Sequence, residues 1–391
     1  MTVALGFGML IPILPLFAQS FGVGLAAIGL VQTVFGLTRF SFGLVGGLVV
    51  DRFGERASVI TGLLVVAASS YTAGFAHSFP QLVAARGFGG AGSALFIAGL
   101  MNRILRIIEP EAMSRATGSF RSSFLIGVAA GPAFGGLLSE RFGLAAPFFF
   151  YGSGLLVSAV IAWFVMRGVE RERAPRRRPL EALAAARPLM ADRRYTLALF
   201  ATFVGWWALS GPAQSLGPVY ASQELGLTRA QIGLATTMLA VGELAALLAV
   251  GRAADTRGRR TVLIPSLAVI ALATAALGVI EDAPLGYFAL VTALGAGVAA
   301  SSVAAGGLLA DSIPPGGSGA AVGVNQMAGD LGFLLAPVAI GGVAQASTFS
   351  TAFAVGAVPA FATLVAALRA PRFEARRSSP EPALEPHRQG G

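Results

Sequence analysis

The chain has 391 residues, of which 55% are hydrophobic and 12% are charged, whereas a soluble domain carries about 25% charged residues. This composition, with a mean hydropathy of +0.74, excludes an ordinary soluble domain and indicates an integral membrane protein. The chain has no cysteine and only two histidines, which excludes disulfides and thiolate metal sites and argues against a histidine-based metal or catalytic centre.

Apolar runs of about 20 residues, long enough to cross a bilayer as helices, recur along the whole chain. The sequence predicts twelve such spans, six in each half. They are residues 2–18, 26–50, 57–76, 80–104, 117–139, 145–166, 196–219, 229–251, 261–280, 285–310, 319–343 and 348–368. The first span begins almost at Met1, and we expect the natural protein to start further upstream.

The formal charge of +9 comes from arginines that lie mainly between the spans. Loops after even-numbered spans and the C-terminal tail contain 23 of the 28 arginines, while the opposite loops contain only Arg141 and Arg229. Because positive loops are retained in the cytoplasm, both termini are predicted to be cytoplasmic, in a multi-pass protein of the plasma membrane. The arginines are interpreted as topology signals, and nucleic acid is not an expected partner.

Two ten-residue stretches, GLVVDRFGER and GRAADTRGRR, begin at Gly47 and Gly251 and lie 204 residues apart. A repeat of that length is half the chain, so the sequence predicts two related units. Residues 1–166 are predicted to form the first six-helix bundle and residues 196–369 the second. Residues 167–195 are interpreted as a cytoplasmic linker, and residues 370–391 as a disordered tail.

The two stretches resemble motif A of the major facilitator superfamily, Gly-x-x-x-Asp-Arg-x-Gly-x-Arg, which lies between helices 2 and 3. The matching residues of the first stretch are Gly47, Asp51, Arg52, Gly54 and Arg56. Those of the second are Gly251, Asp255, Gly258, Arg259 and Arg260, with Thr256 in place of the first arginine. The resemblance implies that both loops act as gating latches, whose ion pairs form and break as the halves move.

The fourth span resembles the helix-4 motif of the same superfamily at Arg86 and Gly90. Members of the family usually carry aspartate at the cytoplasmic end of this helix, whereas this chain has Arg106. The related position in the second half is Asp311. The ion-pair network of the first unit is therefore predicted to differ from the usual arrangement in the family.

The fifth span contains the pattern G-x-x-x-G-P-x-x-G-G, which resembles the signature of drug/proton antiporters within the superfamily. Its residues are Gly127, Gly131, Pro132, Gly135 and Gly136. The resemblance implies export coupled to protons. The alternative interpretation is ordinary packing of small residues between helices, with a kink at the proline.

Charges inside a membrane are costly and usually functional, and the sequence places Arg39, Glu243 and Asp330 near mid-depth. Helices 2 and 11 pack together in this superfamily, so we hypothesise that Arg39 pairs with Asp330. Glu243 is the predicted proton carrier, because loss of water favours the neutral form of a carboxyl group. The alternative is that all three form static structural pairs. Other candidates for the substrate cavity are Gln32, Arg121, Trp207, Gln214, Asn325 and Gln326.

The expected fold is an all-α membrane protein of twelve helices in two pseudo-symmetric six-helix bundles, the fold that the resemblance implies. The expected function is proton-driven export of small hydrophobic or drug-like compounds by alternating access, in a monomer that needs no cofactor beyond the proton gradient and no metal. One alternative is a proton-coupled importer of a sugar or organic acid with the same fold. Another is a non-transporting membrane sensor or scaffold. Enzyme activity is not expected, since no nucleophile–base pair or nucleotide site is found.

Overall fold

A computed structural model describes residues 1–107, 110–167, 187–280, 283–313 and 319–370. Twelve helices in these ranges are long and apolar enough to cross a membrane, which confirms the predicted fold class. Those of the first half are α1 (Thr2–Gln19), α2 (Leu25–Phe53), α3 (Glu55–Gly74), α4 (Phe79–Ile107), α5 (Pro110–Phe142) and α6 (Ala146–Val165). Those of the second half are α7 (Arg193–Gln223), α8 (Arg229–Arg257), α9 (Arg259–Leu277), α10 (Pro284–Ser312), α11 (Gly319–Ala346) and α12 (Phe349–Arg369).

Several predicted features fall outside the described residues. Most of the predicted linker 167–195 does so, apart from a short 3₁₀ helix at Arg187–Ala191 and the start of α7. Nearly all of the predicted tail 370–391 does as well. The side chains of Asp51, Arg121 and Asp255 also lie outside the described residues, so their predicted roles stay predictions.

The buried apolar residues form two main clusters, one for each half of the chain. The first is built mainly from α1 to α6 and includes Leu63, Phe148 and Leu155. The second is built mainly from α7 to α12 and includes Leu267 and Phe353. Helices that hydrogen-bond their own backbone and bury apolar side chains against each other are the expected solution for a chain in lipid.

The two six-helix units repeat the same helix pairings. In the first unit α2 and α3 pack on α4, α1 packs on α5, and α3 packs on α6. In the second unit α8 and α9 pack on α10, α7 packs on α11, and α9 packs on α12. The units meet along two seams, α2 with α11 and α5 with α8.

One glycine connects α2 to α3, and another connects α8 to α9. Gly54 has φ of 87° and Gly258 has φ of 94°, a backbone conformation that glycine adopts without the steric cost of a Cβ. These turns lie at the end of the bundle where the even-numbered helices terminate. Because the arginine-rich connections gather there, that end is called the basic face.

Helix α7 differs from the continuous helix predicted at 196–219. It is α-helical over Arg193–Ala208, becomes a π-helix over Leu209–Leu216, and returns to α-helix over Gly217–Gln223. Pro212 lies inside the π segment and cannot donate a backbone hydrogen bond. A π-helical turn accommodates such a break and often occurs at functional sites.

Candidate functional site

The seam between α2 and α11 is closest where the backbones touch through glycine. A Cβ on Gly29 would meet the carbonyl oxygen of Pro337. At the related point of the other seam, a Cβ on Gly233 would meet the carbonyl oxygen of Pro132. Only a residue without a side chain permits helices to approach so closely. Both seams therefore depend on a glycine packed against the backbone of a proline in the facing helix.

A threonine hydroxyl crosses each seam at the next contact. Thr33 Oγ1 donates to the carbonyl oxygen of Leu334 at 2.7 Å, and Thr237 Oγ1 donates to that of Ala129 at 3.0 Å. Thr237 Oγ1 also accepts from the backbone N–H of Ala133 at 3.1 Å. Thr237 lies 204 residues after Thr33, so the duplication extends to the hydrogen bonds between the units.

The end of the bundle opposite the basic face is closed by further contacts. The backbone N–H of Ala26 donates to Gln345 Oε1 at 3.1 Å, and that of Ala230 donates to Glu140 Oε2 at 2.7 Å. Arg229 donates to the carbonyl oxygen of Ser139 at 3.0 Å. These bonds tie the start of α2 to the end of α11 and the start of α8 to the end of α5.

Towards the basic face the α2–α11 seam opens. The antiparallel register that brings Gly29 to Pro337 places Gly43 opposite Gly323. A Cβ at Gly43 or at Gly323 would meet no atom within 4 Å. The ten residues from Thr33 to Gly43 rise about 15 Å along a helix, so the units diverge over that distance and the space between them opens at the basic face.

The predicted antiporter signature of α5 packs on two neighbours at once. A Cβ at Gly127 would lie 2.8 Å from that of Ala4, and Gly131 and Gly135 would likewise clash with the backbone of α1. Gly136 faces the other way and touches the carbonyl oxygen of Arg229 in α8. The signature therefore brings α5 into close contact with both units.

Arg39 and Asp330 lie on opposite sides of the α2–α11 seam, close enough for their opposite charges to influence each other, although they form no direct ion pair in the described structure. Both side chains are partly buried, and they lie between the tight part of the seam and its open part. Gln326, one turn before Asp330, donates a long hydrogen bond of 3.4 Å to its carboxylate. The structure thus brings three of the predicted site residues together.

Glu243 occupies the position in α8 that is related to Arg39 in α2, but its environment differs from that of Arg39. Its backbone lies against α10, where a Cβ on Gly295 would come within 3.3 Å of the Glu243 nitrogen. Gly90 makes the corresponding approach to the Arg39 nitrogen, at 3.1 Å. The carboxyl group of Glu243 is partly buried, and among the described residues it has no hydrogen-bond or ion-pair partner.

Arg86 is the most deeply buried charge that the structure describes in the first unit, with 4% of its surface exposed. Its guanidinium carbon lies 4.5 Å from the centre of the Phe35 ring, and the phenol of Tyr151 is close enough to interact with the charge. Arg86 also lines a cavity of about 30 Å³ with Gln32 and Gln214. The cavity lies where helices of both units meet.

Two other predicted cavity residues have different surroundings. The indole Nε1 of Trp207 donates to the carbonyl oxygen of Gly356 at 3.0 Å, which ties α7 to α12. Asn325 Oδ1 accepts from Thr202 Oγ1 at 2.9 Å, between α11 and α7. Both side chains therefore take part in packing within the second unit. Arg121 belongs to α5, and its side chain lies outside the described residues.

At the basic face, one arginine of each predicted latch binds the end of a helix. Arg56 donates to the carbonyl oxygen of Trp163 at 3.3 Å and lies 4.4 Å from the Trp163 ring. Arg260, 204 residues later, donates to the carbonyl oxygen of Leu368 at 2.7 Å. These carbonyls belong to the last turns of α6 and α12, where backbone acceptors lack partners within the helix.

Ion pairs join related helices at the basic face of both units, although the side chain of Arg106, on which the predicted difference in ion pairing depends, lies outside the described residues. Arg103 lies 3.9 Å from Glu55, whose side chain is buried, at the basic face of the first unit. In the second unit, Arg259 lies 3.8 Å from Asp311. Glu55 and Arg259 occupy related positions, so the two pairs join the same helices with their charges exchanged. The sequence analysis missed Glu55 and Arg103, although the change of sign between Glu55 and its related residue Arg259 was a usable signal. Arg103 lies one turn before Arg106, the position related to Asp311.

Comparisons with known proteins agree with this architecture. The Major Facilitator Superfamily model matches residues 1–222 and 198–389. The chain is 25% identical to Multidrug resistance protein 1 of Bacillus subtilis (strain 168) over 224 residues, which is 57% of each chain. It is 26% identical to Quinolone resistance protein NorA of Staphylococcus aureus over 149 residues, 38% of each chain. The aligned regions thus span about half or less of these relatives.

Two solved structures share the fold over nearly the whole chain. One is a bacterial homolog of the human lysosomal transporter Spinster, with a TM-score of 0.73 and 18% identity over 94% of this chain and 92% of that one. The other is a mutant of the nucleoside transporter NupG, with a TM-score of 0.72 and 14% identity over 94% of this chain and 97% of that one. With the family model covering both halves, the chain belongs to the Major Facilitator Superfamily, whose members are transporters and not enzymes.

Proposed function

We propose that this protein exports small hydrophobic or drug-like compounds from the cytoplasm across the plasma membrane, as a monomer, in exchange for protons. The basic face is assigned to the cytoplasm because arginine-rich loops are retained there. With that assignment, the space that opens between Gly43 and Gly323 faces the cytoplasm, from which an exporter takes its cargo. The halves would then rock about their two seams to expose the space on the other side.

The observation that carries the proton coupling is the isolated carboxyl group of Glu243. It lies in a membrane helix, partly buried, and has no partner among the residues that the structure describes. Charged groups in such positions usually serve a transport or relay function. Removal of water favours the neutral carboxyl and access to water favours the carboxylate, so a change of exposure during rocking would bind and release a proton.

The Arg39–Asp330 pair supplies a second element whose state depends on conformation. It spans the α2–α11 seam where the helices begin to diverge. Movement of the units at this point would change the separation of the two charges, and a carboxylate that loses its cation accepts a proton more readily. The pair would therefore couple the rocking motion to protonation.

Two observations support export over import. The glycine–proline pattern of α5 resembles the signature of drug/proton antiporters, and it contacts both α1 and α8 at a seam that must move. Relatives aligned over part of the chain are named for resistance to drugs and to quinolones. An importer of the same fold predicts the opposite direction of dye movement, so one assay separates the two functions.

The test is accumulation of a panel of fluorescent dyes, including the carboxylate dye rhodamine 110, by cells that lack their own efflux pumps. Wild-type protein should lower accumulation, and a protonophore should remove the effect. Glu243→Gln should slow efflux at least tenfold, while Glu224→Gln, which changes an exposed acid in the α7–α8 connection, should leave efflux unchanged. Full activity of both Glu243→Gln and Asp330→Asn would contradict the coupling, and a rise in accumulation would favour the importer.

A further inference from the structure

Arg86 is a buried cation that the described part of the protein leaves without a counterion. Its Nε atom has no hydrogen-bond partner, and no ion pair to the guanidinium is present among the described residues. Phe35 and Tyr151 lie beside it, but an aromatic face and a neutral phenol do not neutralise a charge. A buried charge is strongly unfavourable unless it is paired and hydrogen-bonded.

The sequence of the first unit offers no acid for this role. None of its acids falls within a predicted membrane span. They are Asp51, Glu55, Glu109, Glu111 and Glu140. In the second unit, Asp330 interacts with Arg39, and the backbone of Glu243 lies against α10. Among the described residues, none therefore supplies a negative charge to Arg86.

The cavity beside Arg86 has the size and polarity for a small anionic group. Its volume of about 30 Å³ corresponds to roughly two water molecules, since about 10–15 Å³ suffices for one. Gln32 and Gln214 line it with Arg86, and Phe7, Phe35 and Phe333 supply apolar walls. A planar guanidinium donates two parallel hydrogen bonds to a carboxylate, and each glutamine amide can donate further ones.

The position of the cavity is suited to transport. Gln32 belongs to α2 and Arg86 to α4, whereas Gln214 lies in the π-helical segment of α7 and Phe333 in α11. A group held here touches both units at the place where they meet. The position in α10 related to Arg86 is Val291, which is buried, so the second unit has no copy of the site.

We infer that Arg86, with Gln32 and Gln214, binds an anionic group of the cargo, a carboxylate or an oxyanion of similar size. This inference rests on the proposed export function and narrows it. The cargo is an amphiphile whose apolar body occupies the space between the units and whose single negative group enters the cavity. Neutral or purely cationic analogues lack the group that Arg86 requires.

The test compares two dyes that differ only at a carboxyl group. Rhodamine 110 carries a free carboxylate, and rhodamine 123 is its methyl ester. Their affinities for the purified full chain in detergent are measured by fluorescence anisotropy. Norfloxacin and its methyl ester form a second pair, whose affinities are measured by their competition with the bound dye. Wild-type protein should bind each free acid at least tenfold more tightly than its ester.

Variants then test whether Arg86 causes the preference for the free acid over the ester. Arg86→Met should remove the preference for the free acid while it leaves the affinity for the ester within about twofold. Arg86→Lys should retain part of the preference, because the charge remains but the bidentate geometry is lost. Arg141→Met, which changes an exposed arginine at the end of α5, should bind like wild type. Thermal unfolding of each variant shows that it is folded.

Three results would overturn the inference. They are equal affinity of wild type for acid and ester, survival of the preference in folded Arg86→Met, and failure of wild type to bind either free acid. Because binding is measured without a pH gradient, these results would reject the anion site without contradicting the proposed export function. Gradient-driven transport of the esters alone would retain the proposed function and reject the anion site.

Discussion

The two six-helix units keep the same backbone contacts and differ in their charges. A Cβ at Gly90 would meet the carbonyl oxygen of Phe35, and one at Gly295, the related position, would meet that of Leu239. The threonine hydrogen bonds of the seams and the arginine bonds to the ends of α6 and α12 are likewise present twice. The duplicated contacts are those that fix how closely helices approach.

The charged side chains diverge at equivalent places. Arg39 of the first unit corresponds to Glu243 of the second, and buried Arg86 corresponds to Val291. The ion pair at the basic face is also present in both units, but with its charges exchanged. Close approach of two backbones tolerates little change, whereas a charge can change wherever its partner changes too. Each copy could thus take a separate part in transport on a shared scaffold.

The largest expected effect comes from locking one of the duplicated seams. The chain has no cysteine, so a cysteine pair can be introduced without competing thiols. In Ala129→Cys/Thr237→Cys the two side chains replace a direct contact between α5 and α8. Oxidation should form a disulfide and abolish dye efflux, because the closed end can no longer separate, and reduction should restore it.

The controls are the two single-cysteine variants and the pair Thr33→Cys/Leu334→Cys in the other seam. Both pairs should behave alike if the seams are equivalent. Full efflux by a quantitatively cross-linked α5–α8 pair would show that this seam does not open during transport.

A smaller effect is expected from filling a tight helix contact. Gly295→Val should destabilise the protein by about 1–3 kcal/mol, because the new side chain would strike the backbone of α8 at Leu239. Gly306→Val lies on the same helix, where a Cβ meets no atom within 4 Å, and should cost less than about 0.5 kcal/mol. Thermal unfolding in detergent measures both, and equal losses would contradict the packing.

The smallest effect concerns the exchanged ion pairs. Arg259 and Asp311 are each about one quarter exposed, so their pairing should contribute only about 0.2–1 kcal/mol. Arg259→Glu alone should destabilise the second unit by placing like charges together. Arg259→Glu/Asp311→Arg, which reproduces the charge order of the first unit, should recover most of the loss. A double variant no more stable than Arg259→Glu would show that the pair has no such role.

The membrane helices could be predicted because each is a long apolar run, and a helix in lipid is determined by local composition. The repeat could be found because it preserves glycines at a fixed spacing. The π-helical turn around Pro212 was missed, since a proline within an apolar run does not by itself distinguish a kink from a π segment. The hydrogen bond of Trp207 to Gly356 was missed because its partner lies 149 residues away.

The candidate site was predicted only in part, because most of its contacts join residues that are far apart in the sequence. The proximity of Arg39 and Asp330 could be predicted because the helices that carry them were expected to be neighbours, and these helices do pack together. The cavity beside Arg86 depends on side chains from α1, α2, α4, α7 and α11, and their meeting depends on the packing of the whole bundle. No spacing within one helix encodes such an arrangement.

The most direct test of the proton-coupled exchange uses purified protein in lipid vesicles, with rhodamine 110, the dye whose free carboxylate the site at Arg86 requires. With a proton gradient imposed across the vesicle membrane, wild-type protein should accumulate the dye against its concentration gradient, and Glu243→Gln and protein-free vesicles should not. Without the gradient, accumulation should be absent. Equal accumulation by wild-type vesicles with and without the gradient would contradict the account.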